Sequence, residues 1–510
     1  PLDDLLIAGD LAVSYNSGDG DDTLIGGISN DTLNAGAGND SVDGGAGNDV
    51  IYGDGADLLF GGTGDDRFTM GNPTGVVLRG GPGTNTLDMT PVTRQPIVLK
   101  LNGTGEFRVY VSDVQFTPGY EVTEAGLAQA PWKLTVTGYE VTEFALGAQP
   151  WTVIGSQFDD KVTGGSNDDT LFGGLGNDTL NGGAGNDQTD YRDATGAVTV
   201  NLLTGASSGP DGSDTLISIE RIAGSAFNDT LTSGAGNDTL MGRAGVDRFV
   251  IQGGRDEITD LGNGADELQV QSGARAEAKV VQAWTASSVS YNEGSAVLSS
   301  AGFEVNLSAI DRGQGWQVSN TGAGVLFTGS PFNDTLIGGD QADTLTGLGG
   351  DDRLTGGLGG DTFDITLGTD ALTDLGRGPD IVHVEPGASL NADVVASWVA
   401  GSTSYNKGSV NLFTPGISVD LRAIVEGLGW TLTNTGAAAA FVGSNLNDTL
   451  IGGTGNDTVR GGPGDDSLTG GQGIDLFEVD AGVDTIADLG LGSDILTIAV
   501  PGHVDATVVG

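Results

Sequence analysis

Residues 44–52 read Gly-Gly-Ala-Gly-Asn-Asp-Val-Ile-Tyr, and the same phrase returns as Gly173-Gly-Leu-Gly-Asn-Asp-Thr-Leu-Asn181 and Gly452-Gly-Thr-Gly-Asn-Asp-Thr-Val-Arg460. The pattern is G-G-x-G-[ND]-D-x-U-x, with U apolar. Its sixth-position aspartate keeps register over most of the chain. It falls at Asp22, Asp31, Asp40 and Asp49, then at Asp57 and Asp66 after a one-residue deletion. It returns at Asp160, Asp169, Asp178 and Asp187, and at Asp229, Asp238 and Asp247. Two further runs are Asp334, Asp343, Asp352, Asp361 and Asp448, Asp457, Asp466, Asp475. A fixed short period of this kind marks a repeat architecture, in which each unit buries its apolar residue only by stacking on its neighbours.

The nine residues have the makings of a cation site. Glycine at the first, second and fourth positions permits positive φ in a tight turn and lets carbonyl oxygens approach an ion closely. Candidates for such roles are Gly36, Gly38, Gly45, Gly47, Gly165, Gly174, Gly176, Gly183, Gly185, Gly453, Gly455, Gly462 and Gly464. The aspartates add carboxylate oxygen, and the last three residues suit a very short strand with its apolar side chain turned inward. An all-oxygen site suits Ca²⁺ better than Mg²⁺, which demands stricter geometry and retains water. Plain Asn-Asp-Gly turn chemistry is one alternative, but it explains neither the nine-residue phase nor the lack of balancing cations. The helix–loop–helix calcium site needs flanking helices and a Glu at the twelfth loop position, and neither is present.

The pattern resembles the RTX (haemolysin-type) calcium-binding nonapeptide-repeat family, as do Asp214-Thr-Leu-Ile-Ser-Ile-Glu220 and Gly224-Ser-Ala-Phe-Asn-Asp229. The resemblance implies an all-β fold: a parallel β-roll solenoid of calcium-binding repeats, with interspersed β-spacer modules. It implies that two nonapeptides complete one coil, so that Asp31 stacks over Asp49 and Asp40 over Asp22 with a cation between each pair. It also implies multiple bound Ca²⁺ and export from a Gram-negative bacterium through a type I secretion channel.

The charge agrees. With 69 acidic and 20 basic residues the formal net charge is −49, which disfavours nucleic acid and anionic membrane surfaces as partners. Apolar residues still make up 37%, in regular places, unlike a disordered polyanion. No cysteine is present, so no disulfide or thiolate site is possible, and bound metal is the staple to expect. No apolar run approaches a membrane span, so no direct membrane insertion is expected. With one apolar residue per nine and costly glycine-rich loops to order, burial alone is not expected to fold the blocks. They should be disordered without calcium.

A longer period of 114 residues is superimposed: Asp260-Leu261-Gly262 recurs as Asp374-Leu375-Gly376 and Asp488-Leu489-Gly490. Trp284 maps to Trp398, Tyr291 to Tyr405 and Trp316 to Trp430. Repeated aromatics at fixed array positions read as core packing. The expected organisation is a lead-in at 1–17, a repeat block at 18–87 and a β-rich insert at 88–154, where Gly119-Tyr-Glu-Val-Thr-Glu124 recurs nineteen residues later. Repeat blocks with a short spacer follow at 155–256, then 114-residue copies at 257–370 and 371–484, and the start of a third at 485–510. The chain is therefore expected to be a piece of a longer array. Some repeats depart from the pattern, with Arg243 and Leu348 at the second position and Gln341 at the fourth. Sites using these turns are expected to be weaker or empty.

Catalytic signals are sparse. Gly205-Ala-Ser-Ser-Gly209 matches a nucleophile elbow on paper, but lacks the strand-to-helix context. His383 and His503 are the only histidines, and no HExxH or P-loop occurs. The expected function is an extracellular, non-enzymatic, calcium-binding structural protein forming a homo-oligomeric sheet or filament: a surface layer, filament or adhesin stalk. The alternative is the non-catalytic carrier region of a secreted enzyme or toxin.

Overall fold

A computed structural model describes residues 2–55, 57–73, 151–155, 159–263, 265–490, 492–499 and 502–508, together with the strands at 77–79, 84–88, 98–101, 106–110, 121–124, 132–135 and 144–145. It is an all-β parallel solenoid of about 22 turns. Among the described residues no helix is long and apolar enough to cross a membrane. The chain divides into two compact units, Pro1–Phe249 and Val250–Gly510.

In the first unit each nonapeptide ends in a three-residue strand, and alternate strands pair. Leu5–Ile7, Thr23–Ile25, Ser41–Asp43 and Leu58–Phe60 stack in parallel on one side. Ser14–Asn16, Thr32–Asn34, Val50–Gly55 and Arg67–Pro73 stack on the other. The Cα register Leu6↔Leu24↔Val42↔Leu59 advances by two nonapeptides per coil, shortened by one residue at the deletion. An apolar residue of each of these strands from Thr23 to Arg67 points inward, and Leu24, Leu33, Val42, Ile51, Leu59 and Phe68 are fully buried. The core is thus a single ladder of aliphatics on each side, the least that stacked coils can bury.

Residues 1–17 are already part of this stack, since Leu5–Ile7 pairs with Thr23–Ile25 and Ser14–Asn16 with Thr32–Asn34. The insert at 88–154 also keeps to parallel pairing in its described strands: Val98–Leu101 with Glu121–Glu124, and Trp132–Thr135 with Trp151–Ile154. There Trp132 is in register with Trp151, so one nineteen-residue duplication spans one coil. The remaining insert residues, including Gly119 and Tyr120 of the first Gly-Tyr-Glu-Val-Thr-Glu copy and all of the second, lie outside the described residues. Near 199–217 the pairing departs from the parallel rule: Thr199–Asn201 pairs antiparallel with Ala206–Ser208, and Ala206 with Thr215.

In the second unit the spacers continue the coils and widen them. Three parallel stacks run side by side there, with Gln269↔Tyr291, Arg275↔Ser295 and Trp284↔Val305 in register. The wider coil encloses Trp284 and Trp316, both buried, with ring centroids 6.0 Å apart at 53°. Trp398 and Trp430 repeat the same 6.0 Å and 53° in the next copy. The fixed-position tryptophans are core.

Candidate metal centres

The sixth-position aspartates stack one coil apart, as the family resemblance implies. The backbone N–H of Asp31 donates to Asp49 Oδ1 at 2.7 Å, and that of Asp22 to Asp40 Oδ1 at 2.7 Å. The rule holds at Asp40–Asp57 (2.9 Å), Asp49–Asp66 (3.0 Å), Asp160–Asp178 (2.8 Å) and Asp169–Asp187 (2.7 Å). It holds again at Asp229–Asp247, Asp334–Asp352, Asp343–Asp361, Asp448–Asp466 and Asp457–Asp475. One carboxylate oxygen of each pair is therefore consumed in fixing the coil spacing. All of these aspartates are buried.

The other oxygen is the chemically significant one. Oδ2 of Asp22, Asp40, Asp49, Asp57, Asp178, Asp187, Asp343, Asp352, Asp457, Asp466 and Asp475 is buried without a hydrogen-bond partner. An unpartnered buried carboxylate oxygen is expensive. Burial, with like charges on adjacent coils, pushes the Asp352 carboxyl up to about 8 and those of Asp57, Asp178, Asp361 and Asp466 to about 7. The fold thus assembles columns of carboxylates that resist ionisation unless a cation joins them.

The glycines divide the labour differently from the sequence expectation. The second and fourth positions use positive φ, with Gly45 at 95° and Gly47 at 123°, and likewise Gly174 and Gly176, or Gly453 and Gly455. The first position does not. Its glycine is needed for room: a Cβ on Gly338 would lie 2.5 Å from Asp343 Oδ2 and 2.6 Å from the Gly356 carbonyl oxygen. A Cβ on Gly452 would meet Gly470 O at 2.5 Å and Asp457 Oδ2 at 2.9 Å. The first-position glycine thus lets a carboxylate oxygen and a carbonyl oxygen from the next coil converge. Gly165 is a second departure. Its φ is not positive, and its N–H donates to Asp169 Oδ2 at 2.7 Å.

This donor set fits a hard cation. Among the described residues no group of three or more His, Cys, Asp or Glu side chains is placed to hold a metal, so side chains alone do not build a site. The ligands on offer are paired carboxylates and main-chain carbonyls, an all-oxygen set of the kind Ca²⁺ accepts. Bound there, a divalent cation would neutralise the column.

Not every aspartate in the pattern stands in this state. Asp229, Asp334 and Asp448 open their blocks, and each is preceded by a buried serine at the second position. Ser330 N–H donates to Asp334 Oδ2 at 2.5 Å and its hydroxyl to the same oxygen at 2.9 Å, while Trp316 N–H donates to Oδ1 at 2.6 Å. Ser444 and Trp430 repeat this at Asp448, and Ser225 and Val198 serve Asp229. Asp238 Oδ2 accepts from Gly234 N–H.

The ladder also extends into turns that lack the first-position glycine. Asp352 N–H donates to Asp370 Oδ1 at 2.9 Å and Asp466 N–H to Asp484 Oδ1 at 3.0 Å. Asp361 and Asp475 donate likewise to Asp380 and Asp494. Asp370 and Asp484 fall nine residues after Asp361 and Asp475 and keep the Asp-x-apolar ending, which was the available signal. The fifth-position Asn or Asp forms a second, exposed ladder in the opposite sense, as in Asn48 N–H to Asn30 Oδ1 and Asp465 N–H to Asn447 Oδ1. Ser207, the residue of the nucleophile-elbow match, is buried on a hairpin strand and donates its hydroxyl to Asp214 Oδ2 at 2.8 Å.

Comparison with curated proteins finds no match. The family model of the RTX calcium-binding nonapeptide repeat matches residues 16–51, 51–69, 154–188, 217–249, 328–363 and 442–477. These segments contain the sixth-position aspartates from Asp22 to Asp475, and the chain carries RTX calcium-binding nonapeptide repeats.

Proposed function

We propose that this chain is an extracellular, non-enzymatic structural protein whose repeat blocks fold on calcium and whose units then assemble into a sheet, filament or stalk. The observation that carries the calcium step is the column of buried, unpartnered Oδ2 atoms in stacked coils. Such columns disfavour the fold until a divalent cation bridges them. The aspartates with unpartnered Oδ2, and the first-position carbonyls of the next coil such as those of Gly356 and Gly470, are the proposed ligands. A chain that folds only where calcium is plentiful suits export in an unfolded state.

Assembly is supported by repetition: the two 114-residue copies reproduce the same tryptophan pair and the same serine–aspartate contact. Repeated units with one internal geometry suit an array. Electron microscopy of the purified chain, with light scattering, in millimolar calcium and in chelator tests the reading. Ordered sheets or filaments that dissolve in chelator are expected. Rods that remain monomeric in calcium would overturn the assembly step and favour a carrier region for a fused enzyme or toxin.

A further inference from the structure

One stretch of the first unit supplies its own counter-charges. Strand Gln188–Asp190 lies in register with Arg221–Ala223, which in turn pairs with Thr239–Met241, so Asp190, Ala223 and Met241 stack just before the turn. The following turn, Gly242-Arg-Ala-Gly-Val-Asp247, carries Arg243 where the repeat has its second glycine. Arg243 holds φ at 76°, a region that side-chain-bearing residues rarely adopt. Its guanidinium is turned inward. Nη1 donates to Asp190 Oδ1 at 2.9 Å and to the Gly224 carbonyl at 3.0 Å, and Nη2 donates to Asp190 Oδ2 at 3.1 Å. The Asp190 side chain is fully buried, and Arg192 adds a second guanidinium to it.

Gly224 is the first-position glycine of its turn. In other coils the carbonyl of that position faces a ladder carboxylate, and here it accepts from a fixed positive charge. Neighbouring carboxylates are also satisfied from within. Asp214 accepts Asp178 N–H at 3.0 Å as a ladder member, yet its Oδ2 takes the Tyr191 hydroxyl at 2.9 Å and the Ser207 hydroxyl at 2.8 Å. Asp229 takes both the N–H and the hydroxyl of Ser225.

We infer that the Arg243 guanidinium is a built-in replacement for calcium in its coil, and that residues 188–249 form a section of solenoid that stays ordered without the ion. It follows that Arg243→Gly, which restores the repeat, uncovers a latent calcium site. The inference rests on the reading of the remaining ladders as calcium sites.

The test uses the full chain. Equilibrium dialysis against calcium gives the number of ions bound, and hydrogen exchange in chelator follows peptides from 188–249 and 334–361. Arg243→Gly is expected to bind one more calcium ion per chain than the wild type. In chelator the wild-type 188–249 peptides are expected to exchange at least about tenfold more slowly than those of 334–361. Equal stoichiometry for the two proteins, or equally fast exchange of both segments, overturns the inference. A wild-type chain that bound no calcium, or whose 334–361 peptides were as protected in chelator as in calcium, would instead remove the calcium reading itself. The exchange comparison uses only wild-type protein, so it decides even if the variant fails to fold.

Discussion

Asp334 and Asp352 sit one coil apart in the same stack and obey the same sequence pattern, yet they are in opposite electrostatic states. Asp334 accepts from Ser330 and Trp316 on both oxygens, and burial lifts its carboxyl only to about 6. Asp352 spends Oδ1 on the Asp334 N–H, has no partner for Oδ2, and is pushed up to about 8 by burial and the charges of Asp370 and Asp334. Asp448 and Asp466 repeat the contrast 114 residues later. A leading coil therefore closes its block with the chain's own donors, whereas an inner coil is finished only by a cation. Burial is common to both. What separates them is whether the second position offers a hydroxyl.

The largest effect expected from this contrast is on pH dependence in chelator. The folded-state carboxyls of Asp352, Asp57, Asp178, Asp361 and Asp466 lie at about 7 to 8, above their ordinary value of 3.8. The folded chain thus binds more protons than the unfolded chain between about pH 4 and pH 8, and its stability falls as pH rises through that window. Calcium-free protein should be most ordered near pH 4 and least near pH 8. The calcium needed for folding should rise in step. Thermal melts in chelator across this range check it; a flat profile would mean that the inner carboxylates are not held as described.

Next in size is a crossover between two isosteric variants. Asp352→Asn keeps the oxygen that accepts Asp334 N–H and removes the buried charge. It should lower stability in calcium by about 3 kcal/mol and leave it equal or higher in chelator. Asp334→Asn replaces an acceptor of Ser330 or Trp316 with a donor, and should cost about 1–3 kcal/mol in both conditions. Denaturant titrations of the pair, each with and without calcium, would break the comparison if the two variants behaved alike.

Much of this was legible in the sequence. The nine-residue phase marks the aspartates and the inward aliphatics, and the family resemblance implies that the aspartates stack two repeats apart. The 114-residue period identified the tryptophans as core. The difference between leading and inner coils was hidden, because Ser330 and Leu348 both replace the second glycine of their turns and only the coil geometry shows the hydroxyl reaching the carboxylate. Asp370 and Asp484 were missed because their turns keep only the fourth-position glycine, Gly368 and Gly482, and lack the first two. The sequence offers the first-position glycine both positive φ and close approach, and the structure uses only close approach. A motif shows which residue is used, while the reason for it lies in the neighbouring coil.

Two smaller tests sharpen the same contrast. Ser330→Gly should cost about 1 kcal/mol in chelator through the lost hydroxyl bonds, and less in calcium if the ion takes their place. Leu348 holds φ at 75° in the inner turn of the same block, so Leu348→Gly should raise stability by up to about 1 kcal/mol, read as a shift in thermal midpoint.

The most direct test of the central claim is far-ultraviolet circular dichroism of the full chain at pH 8 during a calcium titration started from chelator. The account predicts low strand content at the outset, held in the self-compensated stretch around Arg243 and in the coils without unpartnered carboxylates, and a cooperative rise to the full β spectrum as calcium is added. The same strand content in chelator as in saturating calcium would contradict it, because the unpartnered carboxylates would then be tolerated without an ion.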